Sequence, residues 1–120
     1  YYKWGNYFFA HAGINPYVEQ PEASLEEDLL WIRDEFTQFP HRAVEIIVFG
    51  HTPTTNLNDN MSSEVWLSPC CKKIGIDGGA SYPGGQLNGV VLTKGDVRMT
   101  VYAVKDDELT VEQRNLIAQR

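Results

Sequence analysis

The sequence predicts an α/β fold, a mixed β-sheet with flanking helices, organised as one domain over residues 1–120. Three observations carry that expectation. The run "VEIIVFG" (Val44 to Gly50) is β-branched and aromatic and is bounded by Gly50 and Pro53, the pattern of a strand buried on both faces. A second apolar run, "NYFFAH" (Asn6 to His11), is broken by Gly13 and Pro16. Between them, "SLEEDLLWIRDEFTQF" (Ser24 to Phe39) places Leu29, Leu30, Ile32 and Phe36 near helical spacing. The order is strand, helix, strand.

The aromatic opening "YYKWGNYFFAH" runs almost directly into the first strand, and with Tyr1 in first place it predicts a chain that starts in mid-domain. Ser24 with Glu27 three residues later predicts a capping box at the start of the helix, and Pro40 predicts its end. The Asn-, Ser- and Thr-rich stretch from Pro53 to Lys73 reads as surface loop with a short strand at "EVWL". "KIGIDGGASYPGGQL" is a short strand falling into a glycine-rich turn, and "NGVVLTKGDVRMTVYAV" is two strands joined at "KGD". "TVEQRNLIAQR" predicts a terminal helix with Thr110 as cap and Gln113 three residues on. The acidic run Asp106, Asp107, Glu108 reads as solvent-facing capping charge, because it lacks the ligand spacing of a calcium loop. His41, in "FPHRA", reads as a surface residue.

At 120 residues there is room for one domain with a modest core, and 42% hydrophobic with 22% charged residues is a globular balance. A formal net charge of −6 argues against a nucleic-acid partner, whose phosphates require clustered Lys and Arg. It suits a site that works with bound cations. Cys70 and Cys71 are adjacent, which disfavours an ordinary disulfide and fails the usual zinc spacings, so a reducing compartment is expected. No apolar run approaches the length of a membrane span and no secretory segment opens the chain, so a cytoplasmic protein is expected.

Two of the strands end in a histidine beside glycine, His11 in "FFAHAG" and His51 in "VFGHTP". Residues just past the carboxyl ends of strands line the rim where α/β folds place ligands. If the two strands are neighbours, both imidazoles project from one edge and can share a divalent cation. Two unrelated turn histidines, hydrogen-bonded to backbone, would give the same spacing. Two ligands are also fewer than the three or four usual at a metal.

Taken together and in order, "FFAHAGINP", "LLWIRDEF", "VFGHTP" and "IGIDGGASYPGGQLNGVVL" resemble the second half of calcineurin-like metallophosphoesterases, within them the bacterial and phage branch of the serine/threonine phosphoprotein phosphatases. The resemblance runs from Tyr7 to about Val104. It implies part of an αββα sandwich and a hydrolase with two divalent metal ions, manganese, iron or zinc, acting on a phosphorylated protein or a small phosphoester. It implies that His11 and His51 are metal ligands and that Arg33 contacts the phosphoryl oxygens, a task suited to a guanidinium. A solvated helix face is the other reading of Arg33. The resemblance also matches Asp77, Gly78 and Gly79 to a structural turn at the edge of the site and places Tyr82 near the substrate. The Asp-x-His, Asp-Arg-Gly and Asn-His-Glu segments that precede this region in the family have no counterpart here, so the first metal site is missing and the second keeps only two of its expected ligands. The expectation is a carboxyl-terminal half-domain. Hydrolysis of dinucleoside polyphosphates is the alternative activity, and self-association of a non-catalytic remnant through an open sheet edge is the alternative class.

Overall fold

The computed structural model describes residues 1–117. Among them the chain forms a mixed α/β domain with a five-stranded and a three-stranded sheet. The first sheet contains β1 (Tyr2–Trp4), β2 (Tyr7–Phe9), β3 (Ile46–Phe49), β4 (Trp66–Leu67) and β5 (Lys73–Gly75), in the order β1-β2-β3-β5-β4. Its centre, β2-β3-β5, is parallel, and β1 and β4 close the two edges antiparallel. The second sheet is the meander β6 (Leu87–Leu92), β7 (Arg98–Lys105), β8 (Glu108–Asn115).

Side chains alternate across the central strands, and that alternation builds two cores. On one face Phe8, Ile47 and Phe49 pack against Ile14, Phe36 and Ala43 under the helical layer. On the other, Tyr7, Val48 and Ile74 meet Met99 and Val101 of β7, with Val90 and Leu92 of β6 beside them. The layers are therefore helices, first sheet, second sheet. The outer face of the second sheet, with Leu87, Val91, Tyr102, Val104, Leu109 and Val111, is open to solvent.

The helical segment differs from its expected form. It is two short helices, α1 (Glu26–Trp31) and α2 (Asp34–Thr37), separated by an extended Ile32 and by Arg33 at φ −132°, ψ −106°. The break aims Phe36 into the core, where its ring meets Phe49 edge-on at 5.0 Å and lies flat against His41 at 6.2 Å. A Cβ on Gly13 would stand 2.5 Å from that ring, so only glycine admits Phe36 here. The expected capping box does not form. The Ser24 hydroxyl accepts the Asn15 N–H at 2.9 Å, and Asp28 instead accepts the Leu25 N–H at 3.3 Å.

Two further expectations are corrected. Residues expected to open a terminal helix form β8, paired with β7 from Lys105↔Glu108 to Arg98↔Asn115. Asp106 and Asp107 take φ of 51° and 64°, the two left-handed residues of a tight hairpin, and that turn with its ladder outweighs helix propensity. Asp106 and Asp107 of the acidic run thus form the turn and Glu108 opens β8, all three exposed, and residues 118–120 of the expected helix lie outside the described residues. His41 is not a surface residue. It is half-buried, with Nε2 3.1 Å from the Lys72 carbonyl, because burial of Phe36 draws the following segment inward.

Lys73 fastens this region. Its buried ammonium donates to the carbonyls of Phe36 at 2.5 Å, Thr37 at 3.3 Å and Phe39 at 2.5 Å, which closes the carboxyl end of α2. No helix among the described residues is long and apolar enough to cross a membrane.

Candidate metal centre

The parallel register of β2 on β3, Phe9 opposite Val48, brings the ends of these strands side by side. Pairing continues past them: the Ala10 N–H donates to the Val48 carbonyl at 3.1 Å, and the Gly50 N–H to the His11 carbonyl at 2.8 Å. Each histidine lies two residues beyond its strand. Their ring centroids are 5.1 Å apart with planes tilted by 52°.

His51 reaches this place through unusual backbone. Its φ is 67°, and the Thr52 N–H donates to the Gly50 carbonyl at 2.7 Å. This is a γ-turn with positive φ at its centre, a rare and strained form that persists only where the surroundings impose it. Such strain clusters at sites of function.

The electrostatics favour neutral imidazole at position 51. Burial is the main cause lowering the His51 pKa, followed by the Arg33 guanidinium and the His11 ring, while the Trp31 carbonyl and Asp77 oppose the shift. Nε2 of His51 is buried with no hydrogen-bond partner. A neutral ring with an orphaned nitrogen is the form that ligates a metal, so the residue fits that role. Trp31 packs edge-on against this ring at 5.8 Å.

Arg33, in the break between α1 and α2, is exposed, and its charge is one of the causes that lower the His51 pKa. Asp77 follows β5, and its Cβ lies 4.0 Å from where a Cβ on Gly50 would be. Its Oδ1 accepts the Gly79 N–H at 2.9 Å and its carbonyl accepts the Thr54 N–H at 2.8 Å, so it braces the GHTP turn against the glycine-rich turn. Gly85 leaves no space for a Cβ, which would overlap the Gly79 carbonyl. Tyr82 stands 65% exposed beside Gly79.

A cavity of about 590 Å³ opens at the strand ends, lined by His11, Gly50, Phe9, Leu29, Val48 and Ile76 among others. A hollow of similar volume lies beneath β8, among Glu64, Lys105, Glu108 and Glu112. His11 lines the strand-end cavity and no histidine lines the second hollow, so the strand-end cavity is the candidate site. His51 is not part of its lining, and Arg33 lines a separate hollow with Trp31 and Asp34. Among the described residues, no three His, Cys, Asp or Glu side chains are grouped to hold a metal ion.

Sequence reasoning did not single out Trp31 as a neighbour of His51, nor the buried hydroxyls of Thr52 and Thr54, which have no partner. Trp31 sits two residues before Arg33, and that spacing is the signal that could have found it. Searches of protein-family models, curated proteins and solved structures found no match to the chain.

Proposed function

We propose that this chain contributes part of the active site of a calcineurin-like metallophosphoesterase of the phosphoprotein phosphatase type, acting on phosphomonoesters. The observation that supports it is the convergence of two imidazoles, one on a strained γ-turn, at the ends of adjacent parallel strands. His11 and His51 would hold one divalent ion, and the remaining ligands come from groups outside the pair. A bound metal pair supplies charge neutralisation for the phosphoryl oxygens and acidifies a water. The chain's own residues do the rest. Burial keeps His51 neutral and ready to ligate, Gly50 leaves space beside the His11 carbonyl, and Arg33 presents a planar donor pair to phosphoryl oxygens.

Calorimetry with Mn²⁺ tests the ligand assignment. The ion is chosen because thiols such as Cys70 and Cys71 favour softer metals. His11→Ala and His51→Ala should each weaken Mn²⁺ binding by about tenfold or more. Unchanged affinity in both variants would sink the reading. Within the enzyme class, turnover of a phosphopeptide against diadenosine tetraphosphate decides between protein and dinucleotide substrates.

The open outer face of the second sheet favours a second reading, self-association, since Leu87, Leu109 and Val111 are each more than half exposed. A monomeric mass in solution across the micromolar range would exclude it.

A further inference from the structure

The hairpin between β4 and β5 turns through Pro69, Cys70, Cys71 and Lys72. Ser68 closes it. Its N–H donates to the Lys73 carbonyl at 3.0 Å, and its carbonyl accepts the Cys71 N–H at 2.8 Å. Its hydroxyl accepts the N–H groups of Lys72 at 3.2 Å and Lys73 at 3.0 Å, which occupies both oxygen lone pairs. The single hydroxyl proton is then left for Cys70 Sγ, 3.6 Å away.

Cys70 is exposed, Cys71 is half-buried at a left-handed φ of 60°, and both are free thiols. An exposed thiol can meet an incoming disulfide, and a second thiol next to it in the chain is placed to resolve the mixed disulfide that forms.

We propose that Cys70 and Cys71 form a thiol–disulfide exchange site that takes a low-molecular-weight disulfide, with Cys70 as the attacking thiol and Cys71 as the resolving one. Cys70 releases its proton to solvent, and the thiolate attacks one sulfur of the small disulfide. A mixed disulfide forms and one small thiolate leaves. Cys71 then gives up its proton and attacks the Cys70 sulfur, expelling the second small thiolate. Two protein thiols are oxidised to one disulfide, the small disulfide is reduced to two thiols, and the two released protons balance the two leaving thiolates. Exposure assigns the roles, because the more open Cys70 meets the incoming molecule. Burial raises the Cys71 pKa, a handicap that an intramolecular second step tolerates.

Neighbouring Cα atoms are about 3.8 Å apart, below the roughly 4.4–6.8 Å of ordinary disulfides, so the product ring is strained. A strained disulfide is readily reduced, taking two electrons back from a thiol reductant. The site is remote in sequence from the histidine pair and stands independently of the phosphoesterase reading.

The test is intact mass and thiol counting of the reduced full chain treated with glutathione disulfide. The wild type should lose two hydrogens and both thiols with no retained adduct, and dithiothreitol should reverse the change. Cys71→Ser should retain one glutathione at residue 70, and Cys70→Ser should react about tenfold more slowly. Circular dichroism of each variant confirms that the fold is intact. Stable adducts on both wild-type cysteines, equal rates in the two variants, or a folded chain no faster than the same chain in urea would overturn the proposal.

Discussion

The two sheets of this molecule solve opposite problems. The first is covered on both faces and keeps its polar chemistry at the carboxyl ends of its parallel strands. The second is a meander covered on one face, held in register by tight turns, and it carries no part of the candidate site. In the first, a single residue serves core and rim together. In the second, a residue serves its own hairpin. The contrast teaches that disturbance of the first sheet should propagate to the histidine pair, while disturbance of the turns and open outer face of the second should stay local.

The largest effect is expected at Phe36. Its ring is fully buried against Gly13, Phe49 and His41, and its carbonyl accepts a bond from the Lys73 ammonium. Phe36→Ala should cost about 3–5 kcal/mol in urea unfolding and weaken Mn²⁺ binding as well, since Arg33 and Trp31 lie on the segment it anchors. A full loss of stability with intact metal affinity would break the link between core and rim.

A smaller effect concerns pH. The His41 pKa is lowered by burial first, and also by the charges of Lys73 and Lys72 that face it, against the hydrogen bond with the Lys72 carbonyl. A histidine whose folded pKa lies below its unfolded value of about 6.5 binds fewer protons when folded. Stability should therefore fall as pH drops below about 6.5, with the full penalty present once the folded pKa is passed. His41→Phe should flatten that part of the stability profile. An unchanged slope would show that other groups carry it, with His51, lowered in the same direction, the first to test.

The same contrast explains what could be read from the sequence. Buried strands such as "IIVF" announce themselves by composition, and β2, β3, β5, β6 and β7 fall where apolar runs predict them. The pairing of His11 with His51 required knowing that β2 and β3 are neighbours, a tertiary fact that periodicity does not contain. The helix was over-read because Leu29, Ile32 and Phe36 keep helical spacing while the backbone breaks at Arg33 to seat Phe36. The strand β8 was missed because its side chains are nearly all exposed, which leaves no apolar alternation to betray it. His41 lacked a motif, and its burial follows from a neighbour five positions earlier.

The second sheet offers the smaller and sharper tests. At the β7–β8 turn, Asp107 holds φ 64°, a conformation that glycine adopts freely. Asp107→Gly should stabilise the chain by on the order of 0.5 kcal/mol, the relieved backbone strain less the extra freedom given to the unfolded chain. The register Lys105↔Glu108 should be kept, because a two-residue loop with both φ positive fixes it. Smaller still is Val111→Lys. Val111 lies opposite Tyr102 on the outer face and is 55% exposed, so a lysine loses little contact and keeps its ammonium in water. The change in stability should stay within about 0.5 kcal/mol and Mn²⁺ affinity should not move. If this face instead seats a second copy, the same substitution buries a charge at the contact, and sedimentation would show the oligomer dissociating while the unfolding midpoint becomes independent of protein concentration.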